Sequence, residues 1–231
     1  MSNIINFFWS GDNWTFLHDL TLKSHISVGH IPVIWLHGNR PKSVYWNAGL
    51  YGETEDARDV MDITRFMREG GNFKTASSLW RFTFLYQYGG WYSDTDAIAI
   101  KEWPDKEWII CGESPDKLST GVIRVPKRQG MFLDMIDNIK LDWGNVDVFN
   151  EHYLKRMGNR EETIYSKLFY PVEWEEWRYI LSIMEIPDVY SVHLFHTMFE
   201  KNGMIKDIEG LLWRNPELML ARIARKIQLS I

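Results

Sequence analysis

The stretch Tyr86–Ile100, YQYGGWYSDTDAIAI, sets two aspartates one residue apart, just after a double glycine and a short aromatic run. In an extended chain alternate side chains share a side, so Asp94 and Asp96 would face one way and Thr95 the other. Two like charges held together call for a cation. Carboxylate oxygens are hard ligands that suit Mg2+ or Mn2+, ions that commonly keep positions for water and for phosphate oxygens of a substrate. A helix-loop-helix calcium site fits poorly, because its third ligand and turn glycine would fall at Ile98 and Ala99. An isolated Asp-x-Asp triplet is also what a turn cap beside a solvated carboxylate looks like. The surrounding elements must decide.

Those elements alternate. Ile4–Trp9 is a β-favouring run ended by Ser10-Gly11-Asp12, and a helical stretch to about Val28 follows. Ile31–Leu36 reads as a second strand, closed by His37-Gly38-Asn39-Arg40-Pro41, after which the chain to about Gly52 has the composition of an irregular loop. The pattern predicts a helix over Asp56–Arg68, stopped by Gly70-Gly71-Asn72. Phe73–Tyr88 is apolar nearly all round, so it is predicted to be a buried helix that Gly89-Gly90 ends. Trp91–Ser93 leads as a strand into the aspartates, which Ala97–Ile100 continues; further strands are predicted at Trp108–Cys111 and Gly121–Val125, and a helix at Met131–Ile139. This order favours an α/β sandwich.

Composition narrows the function. With 231 residues, 45% hydrophobic and 25% charged, the chain has the make-up of a globular protein with a substantial core. It is read as one domain, 1–231, with a partly helical C-terminal part from about 140. A formal charge of −5 argues against general nucleic-acid binding, which needs a concentrated basic surface. Cys111 stands alone, so neither an internal disulfide nor a thiolate zinc cluster can form. No apolar run reaches membrane-spanning length and the start lacks a basic signal region; a cytoplasmic location is expected. The 12 Trp, 10 Tyr and 12 Phe suit either a packed core or a groove for ring-shaped ligands.

The segment Lys74–Ile100, KTASSLWRFTFLYQYGGWYSDTDAIAI, resembles the sugar-binding region of glycosyltransferase family 32 and its relatives. These include yeast mannosyltransferases, α1,4-galactosyltransferases and clostridial glucosylating toxins. Ser77, Arg81, Leu85, Tyr86, Gly89, Gly90, Tyr92, Asp94 and Asp96 match that pattern in register, whereas Ser78 stands where the family has aspartate. At lower density, INFFWSGD is similar to the family's first strand, GVIRVPKRQGMFLDMIDNI to the strand and helix after the metal motif, and FYPVEWEEW and YSVHLFHTMF to late segments of the galactosyltransferase branch.

The resemblance implies a GT-A type α/β fold, a central mixed sheet flanked by helices. It implies a metal-dependent hexosyltransferase that moves a sugar from a UDP- or GDP-sugar to a glycan, lipid-linked or other hydroxyl acceptor with retention, giving an α linkage. Mn2+ or Mg2+ would stabilise the departing diphosphate. Asp96 would be the direct ligand, with Asp94 helping to hold the ion and bonding ribose or sugar hydroxyls. Arg81 would hold the sugar or phosphate. Trp9 matches a base-stacking position, and Ser78 and Tyr92 fall in the same donor-binding set. His193 would complete the metal site, with His196 the second choice. Glu113 is a weaker candidate, as an acceptor contact. No residue identifies itself as a nucleophile.

Two rival classes share some of these features. A nucleotidyltransferase also uses an Asp-x-Asp pair, but commonly behind a Gly-Ser turn and helix, whereas here the helix precedes Gly-Gly. A carbohydrate-binding protein would use the aromatic groove without nucleotide or metal. Beyond Pro216, Leu220, Ile223, Ala224, Ile227 and Ile231 share one helical side with Arg222, Arg225 and Lys226 elsewhere. Such a helix either packs on its own domain or makes weak contact with a membrane surface. Oligomeric state is not legible.

Overall fold

The computed structural model describes residues 3–47, 49–114, 117–139, 149–153, 166–183 and 185–228. β-Branched and aromatic runs form the strands β1 (Ile4–Ser10), β2 (Ile31–His37), β3 (Glu53–Asp56) and β4 (Gly90–Ser93), followed by β5 (Ala97–Ala99), β6 (Ile109–Ser114), β7 (Lys117–Val125) and β8 (Ser191–His193). Six of them make one sheet in the order β3-β2-β1-β4-β7-β6. Its β3, β2, β1 and β4 are parallel, and β7 and β6 run antiparallel to their neighbours. β5 and β8 form a separate antiparallel pair.

Strand alternation divides the core. Ile5, Phe7, Ile34, Leu36 and Trp91 face one side, where α1 (Phe16–Ser27) and the C-terminal helices pack. Phe8, Val33, Trp35 and Tyr92 face the other, where α3 (Phe73–Gln87) and α4 (Gly130–Asn138) pack. The expected central mixed sheet flanked by helices is what the chain forms.

The predicted helix over Asp56–Arg68 is not continuous. A strand ends at Asp56, a single 3-10 turn covers Ala57–Asp59, and α2 is only Thr64–Arg68. The cause is local: Asp56 accepts from the Arg58 backbone N–H at 2.9 Å and Asp62 from that of Thr64 at 2.9 Å. Each aspartate starts a new turn instead of continuing the last one. Asn72, expected as a stop, also opens α3, its side chain accepting from the Thr75 N–H at 2.9 Å.

Helix α3 is buried over most of its length, with Trp80, Phe82 and Leu85 fully inside, while Phe73 at its start is 45% exposed. Near the C-terminus lie α5 (Ser166–Phe169), α6 (His196–Lys201), α7 (Ile208–Arg214) and α8 (Met219–Gln228). The apolar side of α8, Leu220, Ile223, Ala224 and Ile227, is buried in the core beside α1, so the chain itself covers the face that could have met a membrane. Ile231 lies outside the described residues. Among the described residues no helix is long and apolar enough to cross a membrane.

The α3–β4 junction depends on glycine. Gly89 has φ +64, and a Cβ there would lie 2.4 Å from the Lys127 backbone nitrogen. Replacing Gly89 with alanine is therefore expected to cost about 1–3 kcal/mol in a denaturant titration, through backbone strain and displacement of the segment after β7.

Candidate metal and donor-binding site

The site is built where the chain leaves the main sheet. β4 pairs with β7 through Ser93 and Val122, and the Asp94 N–H continues that ladder by donating to the Gly121 carbonyl at 2.6 Å. The expected extended path through both aspartates is then broken: residues 94–96 turn, with the Ala97 N–H closing onto the Asp94 carbonyl at 3.3 Å. β5 departs to pair with β8 in the register Ala97–His193, Ile98–Val192 and Ala99–Ser191. The Leu194 N–H donates to the Asp96 carbonyl at 2.7 Å. That pairing sets a histidine beside the second aspartate across almost one hundred residues of sequence.

The Nε2 atom of His193 lies 3.2 Å from Asp96 Oδ1 and 4.0 Å from Asp94 Oδ2. One ligand atom from each residue falls within 4.8 Å of the others, and among the described residues no other trio of His, Cys, Asp or Glu comes together this way. His196 joins the site by its backbone, whose N–H donates to Asp96 Oδ2 at 2.8 Å. Its ring belongs to a different contact, stacked 4.1 Å from His18.

Asp94 divides its two oxygens. Oδ1 accepts from Arg81 Nη2 at 2.6 Å and from the Tyr92 hydroxyl at 3.0 Å, whereas Oδ2 faces His193. Arg81 is buried in α3, bonds Thr120 Oγ1 through Nη1 and lies 4.6 Å over the Tyr92 ring. Burial alone would raise the Asp94 pKa, but the Arg81 guanidinium, with His193 and Tyr92, holds it below the usual carboxylate range. Burial pushes the Tyr92 phenol up. Glu113 is also raised, chiefly by burial.

A cleft of about 640 Å³ opens over this turn. Trp9, Arg81, Tyr92, Asp94, Asp96 and His196 line it. Trp9 stands edge-on to Trp14 and His18, and its Nε1 donates to the Gly11 carbonyl at 2.8 Å. Ser78 does not reach the cleft: it is fully buried, and its hydroxyl donates to the Lys74 carbonyl at 2.9 Å. Its neighbour Ser77 lines the cleft instead.

Three contributors escaped the sequence reading. Thr120 anchors Arg81. Tyr170 stacks on His193 with ring centroids 5.0 Å apart, and its hydroxyl accepts from Ser119 Oγ at 2.7 Å. Gly121 leaves the open space between them, since a Cβ there would lie 2.8 Å from Asp94 Oδ2 and 3.0 Å from His193 Nε2. Only the late Tyr-Pro segment gave a signal for any of these.

Residues 44–114 match the family described as glycosyltransferase sugar-binding region containing DXD motif. The matched span contains α3, β4, both aspartates and the whole of the Lys74–Ile100 resemblance; β1 and His193 lie outside it. No curated protein matches the chain. Among solved structures the chain is similar to the PaToxG glycosyltransferase, with 16% sequence identity and a TM-score of 0.50 over 68% of this chain and 69% of that one. At that identity the likeness is one of fold.

The triad gives the protein a pH signature. Burial opposes a charge on His193, yet Asp96 and Asp94 outweigh it and raise its pKa. A raised folded-state pKa makes the stabilisation complete below the unfolded value of about 6.5 and removes it as pH climbs through the folded value. In EDTA-treated protein, the excess melting temperature of wild type over His193→Gln is expected to be largest below about pH 6.5 and to shrink as the pH is raised above it.

Proposed function

We propose that the protein, acting as one domain over 1–231, transfers a sugar from a nucleoside-diphosphate donor to a hydroxyl acceptor with the help of a divalent cation. The observation that carries this reading is the convergence of Asp94, Asp96 and the buried His193, with both aspartates lining a cleft, inside and beside the span that matches the DXD sugar-binding region.

The residues fit an ion. Two carboxylates and an imidazole are a donor set for Mn2+ or Mg2+, and Gly121 keeps their shared space free of a side chain. Fitting His193 has one cost. The Phe195 N–H points at its Nδ1 at 3.3 Å, which places the neutral ring's proton on Nε2. Ligation through Nε2 moves that proton to Nδ1 and gives up the long contact. Bound there, a divalent ion supplies positive charge to the diphosphate as its bond to the anomeric carbon breaks.

The chain's own residues do the positioning. Arg81 and Tyr92 hold Asp94 by one oxygen and aim the other at the ion site. The His196 N–H does the same for Asp96. Arg81, expected on the donor, lines the cleft and bonds Asp94 and Thr120, so it also orients the carboxylate. The cleft beyond the turn, with Trp9 on its wall, receives the nucleotide sugar. Retention at the anomeric carbon belongs to this reading, as does a glycan, lipid-linked or other hydroxyl acceptor. The lone, buried Cys111 suits work in a reducing cytoplasm.

Screening UDP- and GDP-sugars with Mn2+ for donor hydrolysis is the test. Release of UDP or GDP that EDTA abolishes is expected; release of pyrophosphate would instead mean nucleotidyl transfer and overturn the proposal. Asp96→Asn should lower turnover by about 10³-fold with melting temperature little changed. Asp94→Asn should lose turnover as well, and about 3 kcal/mol of stability, because it leaves the buried Arg81 cation unpaired. Near-normal turnover by Asp96→Asn would remove the ion from the mechanism.

A further inference from the structure

His18 sits in the first turn of α1 and is only 3% exposed, yet it lines the cleft beside Trp9, with ring centroids 4.5 Å apart. Its proton is placed by its neighbour. The Thr15 backbone N–H points at His18 Nδ1 at 3.0 Å, and a backbone N–H can only donate. Nδ1 is therefore the acceptor and the ring proton is on Nε2. Burial, helped by His196, lowers the pKa and keeps the ring neutral, so this tautomer is the resting one. Among the described residues Nε2 has no hydrogen-bond partner; the bonds His18 makes, to the Thr15 N–H and hydroxyl, both use Nδ1. The ring is nearly buried, yet this nitrogen is not among the sealed polar atoms, so its N–H opens onto the cleft, where a ligand oxygen can take the place of water.

The donor also lies on a line to the ion site. His196 stacks on His18, bonds Thr15 Oγ1 at 3.1 Å through Nε2, and reaches Asp96 Oδ2 through its backbone N–H. A diphosphate placed at the Asp94–Asp96 turn would leave its nucleoside running along the cleft toward Trp9 and His18. From this geometry we infer that His18 is a specificity residue for the nucleoside half of the donor, its Nε2–H donating to a base or ribose oxygen while Trp9 covers the adjoining ring face. The inference rests on the donor reading above.

A purely structural role for His18, as partner of Thr15 in the capping box at the start of α1, is separable by mutation. Glutamate and glutamine at this position both accept from the N-cap N–H and so preserve the cap. Only glutamine also offers an N–H to a ligand. In calorimetric titrations with Mn2+ and UDP or GDP, whichever wild type binds, His18→Glu is expected to bind about tenfold more weakly and His18→Gln within about threefold of wild type. Melting temperatures of the three should agree closely. Mn2+ with inorganic pyrophosphate serves as the nucleoside-free probe, and its affinity should be the same in all three. Unchanged nucleotide binding by His18→Glu overturns the inference, and so does a parallel loss of pyrophosphate binding, which would mark a charge effect on the phosphates. Failure of wild type to bind either nucleotide would bring down the donor reading itself, visibly apart from any effect of His18.

Discussion

The site depends on one carboxylate serving two partners that would otherwise compete. Asp94 must stay ionised inside the protein, which burial opposes, and the buried Arg81 provides the compensating charge. Had the guanidinium engaged both oxygens, as a planar fork often does with a carboxylate, the turn would hold a closed ion pair with nothing to offer a ligand. Arg81 instead spends its second nitrogen on Thr120, and Tyr92 takes the remaining capacity of Oδ1. The oxygen that faces His193 and Gly121 is left for chemistry.

The second constraint is a strand only three residues long. β5 follows directly on Asp96 and must hold register with β8 for His193 to meet that aspartate. So short a pair has little stability of its own. Helix α1 supplies the rest from the opposite edge: Ser24 Oγ accepts from the Ala99 N–H at 2.9 Å, and His25 Nε2 lies 3.0 Å from the Ala97 carbonyl. His25 must donate there, so its Nδ1 accepts from His30 Nδ1 at 3.0 Å, and His30 Nε2 accepts in turn from the Trp103 N–H. Neutral rings suit this chain of bonds. Burial and the His30 neighbour lower His25, and burial lowers His30 to about 4. Helix α1 thus fixes β5 from behind while its first turn faces the cleft.

Local signals in the sequence carried the framework. Short apolar runs bounded by turn formers marked most strands, and continuous hydrophobicity marked α3, because both are written in neighbouring residues. Two local readings failed where a side chain rewrote the backbone. Asp56 and Asp62 each reset the turn that a continuous helix would have carried through. The two metal-motif carboxylates do converge, though not through strand alternation: a turn and the departure of β5 bring them together. His193 could be proposed only from the family resemblance, since its contact with Asp96 exists through strand pairing between distant segments. Thr120 and Gly121 carry no local signature of their roles, and Tyr170 had only the resemblance of its Tyr-Pro segment; their importance lies in what separate elements leave open between them.

The departure at Ser78 bears on how Arg81 is used. In this chain the residue one turn ahead of Arg81 on α3 is a buried serine whose hydroxyl is satisfied by its own helix, at the Lys74 carbonyl. It offers the guanidinium nothing. Among the described residues Arg81 Nε is buried without a hydrogen-bond partner. An aspartate at position 78 would bring a second carboxylate into this low-dielectric pocket and compete with Asp94 for the same cation. With serine there, the positive charge of Arg81 is directed to a single acid. The serine at position 78 therefore leaves the hold of Arg81 on Asp94 without a competing acid on its own helix.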